Sequence, residues 1–314
     1  MTTMDTSSNR WTAADIPDQS GRIALVTGAN SGLGLETARA LAARGATVLL
    51  ACRSVENGLA AREELLRATR LSGTILVHHL DLADLASVAA VAATVCERYG
   101  RLDLLINNAG VMATPRMLTR NGFELQFGTN HLGHFALTLA LLPLLRDRPG
   151  ARVVTVSSIA QHFARIAFDD LQGERRYDRW AAYNQSKLAN MMFALELQRH
   201  LGSQGGVALS VAAHPGFART NVQRYSFTTG SWIEPLAHRL LDRLSQGSAM
   251  GALPQLFAAT SSMVRPGCYY GPSDWGGVRG WPVEARIASA ALDTTKCRQL
   301  WEISQSLIAS ALIR

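Results

Sequence analysis

Apolar residues along this chain alternate between two rhythms. Short continuous runs suit strands buried on both faces, and longer stretches repeat every three to four residues as helices do. The first run is Ile23–Val26. Thr27 then opens a turn carrying Gly28, Gly32 and Gly34, and helical spacing continues through Leu33, Thr37 and Leu41 to Arg44, where Gly45 supplies a stop. The pattern predicts further strands at Ala46–Ala51, Thr74–His79, Leu102–Ile106, Arg152–Val156 and Val207–Ala212. It places helices at Val55–Leu71, Leu85–Tyr99, Phe127–Leu145 and Ala182–Leu201. Strands separated by helices of this length imply right-handed βαβ crossovers, hence an α/β fold with a parallel sheet. Ligands of such sheets lie beyond the carboxyl ends of the strands, where Gly28, Cys52–Arg53, Asp81 and Asn107 emerge.

The rhythm fails in three places. Residues 1–20 are polar and predict a surface arm, with Trp11 and Ile16 to pin it. Residues 221–247 mix Tyr225, Phe227 and Trp232 with a short helical pattern at Leu236–Leu244, an insertion placed to cover a pocket or to be a structural excursion. After Leu292 the tail is amphipathic. No linker or repeat divides residues 21–314, so one domain is expected.

Composition narrows the classes. Of 314 residues, 47% are hydrophobic and 18% charged, which fits a folded globular chain. The net charge of +7 raises the question of nucleic acid, but the 31 basic residues form no tract beyond pairs such as Arg175–Arg176. A dispersed excess of this kind favours an anionic cofactor over a nucleic-acid surface. Cys52, Cys96, Cys268 and Cys297 have neither metal nor redox spacing and are expected as reduced thiols in a cytoplasmic protein. The N-terminus has no secretory pattern. The apolar run Phe135–Leu145 contains Pro143 and is too short to span a bilayer.

Two motifs carry chemistry. A strand, a glycine turn and a helix together form a phosphate cradle, because the helix N-terminus offers free N–H groups and glycines admit backbone close to a pyrophosphate. The spacing here is G-x-x-x-G-x-G, and no Lys-Ser or Lys-Thr follows, which disfavours a nucleoside-triphosphate loop. By itself the turn is also compatible with no ligand. The second motif, AYNQSKLAN, sets Tyr183 and Lys187 at i and i+4 on one helix face. An ammonium beside a phenol favours phenolate, so a lowered Tyr183 pKa and a general acid/base role are expected. In isolation the spacing equally describes an amphipathic helix with a surface lysine.

The glycine turn, the acidic Asp81-Leu82 turn, Asn107-Asn108-Ala109-Gly110, the Ser157-Ser158 pair, Tyr-x-x-x-Lys and Pro215-Gly216 occur in one order. Over roughly residues 20–270 the chain resembles the short-chain dehydrogenase/reductase family in its single-domain form. ACRSVENG, TNHLGHF and SSIAQHFARIAFDDLQGE are most similar to its retinol-dehydrogenase-like branch and bacterial relatives. The resemblance implies a doubly wound, Rossmann-type sheet of about seven strands. It implies that Gly28, Ser31, Gly32, Leu33 and Gly34 wrap a pyrophosphate and ribose, and that Asp81 and Leu82 meet the adenine. Asn107, Ala109 and Gly110 would flank the cofactor ribose and steady the sheet, and Pro215, Gly216 and Thr220 would hold the nicotinamide side. Ser158 would bind the substrate oxygen, Tyr183 would move the proton, Lys187 would also bind ribose, and Asn130 would complete a proton relay.

Cofactor choice turns on the end of the second strand. NAD enzymes of this fold place a carboxylate there, but this chain has Cys52 followed by Arg53. Guanidinium grips a 2′-phosphate that a carboxylate repels, so NADP(H) is favoured over NAD(H). Met112, His162, Phe163, Phe217 and Trp232 are candidates to line the substrate pocket, and each is equally a candidate for core. His78 and His79 are expected to be structural, and CYYGPSDWGGVRGW a packed surface loop with Trp275 and Trp281.

The leading expectation is an NADP(H)-dependent oxidoreductase interconverting a small hydrophobic alcohol and its aldehyde or ketone. The alternatives are an NADP(H)-binding redox sensor and a reductase of activated C=C bonds. In the family the helices at Phe127–Leu145 and Ala182–Leu201 form a dimer interface, which implies a homodimer or homotetramer, unless the amphipathic tail covers that face.

Overall fold

The run that opens the pattern is buried at every position. In the computed structural model, which describes residues 10–68, 72–217 and 246–312, Ile23–Thr27 forms strand β1. Ala24 and Val26 join one apolar layer, while Ile23 and Leu25 join the layer on the opposite face. Two covered faces explain a continuous apolar run in place of polar alternation. The other strands are Thr47–Cys52 (β2), Thr74–His79 (β3), Leu104–Asn107 (β4), Arg152–Val156 (β5), Leu209–Ala213 (β6), Tyr269–Asp274 (β7) and Arg279–Glu284 (β8). Among the described residues they form an eight-stranded sheet in the order β3-β2-β1-β4-β5-β6-β7-β8. All neighbours are parallel except β7 and β8, which pair antiparallel. The strand order reverses beside β1, between β1 and β4, and opens a crevice there.

Helices Gly32–Ala43 (α1) and Val55–Ala68 (α2) cover one face, and Leu85–Tyr99 (α3), Gly133–Leu145 (α4) and Arg179–Ser203 (α5) cover the other. Ser248–Thr260 (α6) packs beside α1, and Thr294–Leu312 (α7) lies on the outer side of α5. Side-chain caps mark two of the starts. The Asp84 carboxylate accepts the Ala86 N–H at the head of α3, and that of Asp178 accepts the N–H groups of Trp180 and Ala181 at the head of α5.

Two expectations change, and a third falls outside the described residues. The sheet has an eighth strand, because CYYGPSDWGGVRGW belongs to the β7–β8 hairpin and is not a loop. Pro272 and Pro282 oppose one another in it, and β8 is an edge strand where a missing N–H is tolerated. The glycines and prolines hid the alternation. Trp275 is exposed at the turn, with the Arg279 guanidinium 5.2 Å from its ring centre. The helix expected at Phe127–Leu145 is interrupted: a turn at Leu125–Phe127 passes into a π-helical turn at Gly128–Leu132 before α4. Residues 221–245 of the expected insertion, with Tyr225, Phe227 and Trp232, lie outside the described residues.

Trp11 and Ile16 are buried and pin the N-terminal arm, Trp11 meeting Phe257 edge-on at 5.3 Å. The amphipathic tail becomes α7 and lies on the apolar face of α4 and α5. Trp301 stacks on His200 at 4.2 Å and meets Phe135 at 4.8 Å. All four cysteines are free thiols, and burial pushes that of Cys52 up to about 11. His78 bonds the Tyr99 hydroxyl at 3.1 Å. No helix among the described residues is long and apolar enough to cross a membrane.

Candidate active site

A cleft of about 520 Å³ opens at the carboxyl ends of β1, β2, β4, β5 and β6. Its floor is the turn between β1 and α1. Gly28 has φ +64°, and a Cβ there would meet the Cα of Ala109 at 3.0 Å. A Cβ on Gly34 would run into the carbonyl of Gly28 and lie 2.7 Å from Nδ2 of Asn108. Only glycine lets the turn lie this close to the Asn108–Ala109 segment. Ser31, Gly32 and Leu33 complete the cradle and line the cleft with Gly28 and Gly34.

At one end stand Arg53, Asp81 and Leu82. The Asp81 carboxylate accepts the Ala83 N–H at 2.9 Å and so shapes its own turn. Arg53 is exposed, and among the described residues it makes no ion pair. The glycine turn at the N-terminus of α1 fits the phosphates of a dinucleotide.

At the other end Ser158, Tyr183 and Lys187 converge with Pro215 and Gly216. Tyr183 and Lys187 sit one helical turn apart on α5, with Lys187 Nζ 5.8 Å from the centre of the Tyr183 ring. Lys187 is buried, its ammonium donates to the Val156 carbonyl at 3.2 Å, and no carboxylate among the described residues pairs with it. Burial lowers its pKa to about 8. Tyr183 departs from expectation. Desolvation raises its pKa, and a hydrogen bond with the Ser158 hydroxyl only partly opposes that rise. Loss of water around the phenolate is the largest influence on that pKa.

The remaining predicted residues divide. Ala109 and Gly110 line the cleft. Asn107 does not: it is buried beneath it, and its amide donates to the Thr138 hydroxyl on α4 at 2.9 Å, while its neighbour Asn108 takes the lining position. Asn130 is buried in the π-helical turn, and its side chain grips Val111, accepting from the amide at 2.8 Å and donating to the carbonyl at 2.9 Å. Thr220 and Trp232 lie outside the described residues. Met112 and Phe217 line the cleft, whereas His162 and Phe163 are exposed away from it. Asn30, Val111, Leu125, Thr129 and Trp180 were not singled out by the sequence and also line it. Trp180 stands three residues before Tyr183 on the same helix face and meets its ring edge-on at 6.4 Å, a spacing the sequence does contain.

Comparison with known proteins agrees with this architecture. The family model for short chain dehydrogenases matches residues 22–230. Retinol dehydrogenase 12 of Mus musculus is 40% identical over 290 residues, which span 92% of this chain and 86% of that protein. Retinol dehydrogenase 11 of Homo sapiens is 39% identical over 291 residues, with the same coverage of both. An uncharacterised protein from Mycobacterium paratuberculosis, known from its crystal structure, superimposes with a TM-score of 0.79 at 41% identity, covering 96% of this chain and 98% of that one. The chain belongs to the short-chain dehydrogenase family, in its retinol-dehydrogenase-like branch, and is an oxidoreductase of alcohol and carbonyl groups.

Proposed function

We propose that this enzyme uses NADP(H) to interconvert a hydrophobic alcohol and its aldehyde or ketone. The observation that carries the reading is the meeting of Tyr183, Ser158 and Lys187 at one end of a cleft whose other end is the glycine cradle and Arg53. The bound nicotinamide supplies or accepts the hydride. Gly28, Ser31, Gly32, Leu33 and Gly34 hold the pyrophosphate, Asp81 and Leu82 border the adenine, and Arg53 takes the 2′-phosphate. Ser158 donates to the substrate oxygen and stabilises the charge that develops on it. The Tyr183 hydroxyl gives that oxygen its proton in reduction and takes one in oxidation. Lys187 holds the nicotinamide ribose, and Asn130 fixes Val111 at the cleft wall. Val111, Met112, Leu125, Trp180 and Phe217 make the substrate end apolar. The retinol dehydrogenases among the relatives are consistent with a lipid-like substrate.

The test is transfer of deuterium from 4-deuterated NADPH to a panel of apolar aldehydes and ketones, read by mass spectrometry of the alcohols. The reading expects one deuterium on the former carbonyl carbon and a faster reaction with NADPH than with NADH. Tight nucleotide binding with no labelled alcohol would favour a sensor, and label on a former C=C carbon would favour reduction of an activated double bond.

A further inference from the structure

One buried histidine beside the candidate site has no part in the mechanism above. His134 opens α4 one helical turn beyond Asn130 and is almost wholly buried. Its two ring nitrogens face different halves of the cleft. Nε2 lies 2.9 Å from the Thr27 hydroxyl, at the end of β1, and Nδ1 lies 3.0 Å from the Asn130 carbonyl.

Hydrogen-bond accounting fixes the direction of every bond in this chain. The Thr27 oxygen accepts the N–H groups of Asn108 and Ala109, both at 2.9 Å, which uses both of its lone pairs. Its hydrogen must then be donated. The Ile106 carbonyl at 3.4 Å is a poor acceptor, and His134 Nε2 at 2.9 Å is a good one. An accepting Nε2 leaves the proton of a neutral imidazole on Nδ1, which donates to the Asn130 carbonyl. Burial lowers the His134 pKa to about 4, and the nearby Lys187 adds to that, so the ring is neutral.

The chain continues beyond Asn130. Its amide donates to the Ser186 hydroxyl at 2.9 Å, and Ser186 donates to the Tyr183 carbonyl at 2.7 Å. On the other side, Thr27 immediately precedes Gly28 and holds the segment against which the glycine turn is pressed. We infer that His134 is a positioning residue: locked with its proton on Nδ1, it ties the nucleotide cradle at Thr27 to the catalytic turn at Asn130 and Tyr183. The inference rests on the oxidoreductase reading for the meaning of the catalytic half.

The two ends of the ring are separable by substitution. Asparagine places an amide nitrogen near the position of Nδ1, and glutamine places its amide near that of Nε2. His134→Asn keeps the bond to Asn130 and loses that to Thr27, so it is expected to raise the NADPH dissociation constant roughly five- to tenfold and leave kcat within about twofold. His134→Gln is expected to do the reverse, lowering kcat by roughly tenfold with NADPH affinity nearly kept. His134→Leu loses both. Long-range ¹H–¹⁵N NMR of the wild-type protein reads the tautomer directly and does not depend on how any variant folds. A protonated Nδ1 and the split between the two amide variants support the inference. A protonated Nε2, or two amide variants that shift affinity and kcat together in proportion to their loss of melting temperature, would overturn it. If the wild-type protein showed no turnover, the oxidoreductase reading would fall, while the tautomer and the nucleotide affinities would still decide the role of the histidine.

Discussion

The glycine turn after β1 and the corner around Lys187 face each other across one cleft and are built from opposite materials. The turn is almost all backbone. Its residues matter for what they lack, since a Cβ at Gly34 would strike the Gly28 carbonyl and crowd Asn108. The corner is almost all side chain: the Lys187 ammonium and the His134 ring are buried, and the Tyr183 phenol and the Ser158 hydroxyl are half-buried at the cleft wall. Shape suffices to bind a phosphate, because backbone N–H groups and a helix N-terminus need no desolvated charge. Moving a proton requires titratable groups held away from water, and that costs stability. On the proposed function, the half that binds nucleotide fits the fold and the half that moves the proton strains it.

Breaking the chemical half gives the largest expected effect. Tyr183→Phe removes the hydroxyl proposed to move the proton and is expected to lower kcat by roughly 10²- to 10⁴-fold while NADPH still binds. Steady-state rates beside a fluorescence titration check both parts, and a rate within a few-fold of wild type would remove Tyr183 from the chemistry.

Lys187→Met sharpens the contrast, because it is expected to destroy turnover and yet stabilise the empty protein. The lysine pKa falls from 10.5 to about 8 on folding. Between those values the unfolded chain binds more protons than the folded one, so wild-type stability rises with pH through that window, and the full penalty is present below it. Relieving it is worth on the order of 3 kcal/mol at pH 7. Denaturant unfolding at pH 7 and near pH 10 should show an advantage for the variant at the lower pH that shrinks at the higher. A variant less stable than wild type at pH 7 contradicts this. The Val156 carbonyl that Lys187 leaves keeps a donor in Asn190, at 3.2 Å.

The smallest effect belongs to the binding half. Arg53→Ala should weaken NADPH by roughly tenfold and leave NADH almost unchanged, since only the former offers a phosphate for the guanidinium. Parallel titrations with the two nucleotides decide it, and equal losses would place Arg53 outside the 2′-phosphate site.

The two halves also differ in how far the sequence reveals them. Gly28, Gly32 and Gly34 lie close together between an apolar run and a helical one, so the turn that floors the cleft is legible from local sequence. Tyr183 and Lys187 were legible because they share one helix. The sense of the Tyr183 shift was not, because it depends on desolvation by residues far away in the chain. Asn107 and Asn108 are neighbours, and only the pleat of β4 decides that the first turns into the core toward Thr138 and the second into the cleft. The Thr27–His134–Asn130 chain joins residues 107 positions apart in its first link and left no local signal. The β7–β8 hairpin was hidden by glycines and prolines that an edge tolerates.

The most direct measurement is a fluorescence titration of the wild-type protein and Tyr183→Phe with NADPH, followed by addition of an apolar aldehyde. Equal affinities and oxidation of the bound nucleotide by the wild type alone are expected. Loss of NADPH binding in the variant, or oxidation at the wild-type rate by both, would contradict the division of one cleft into a half that binds through shape and a half that reacts through buried groups.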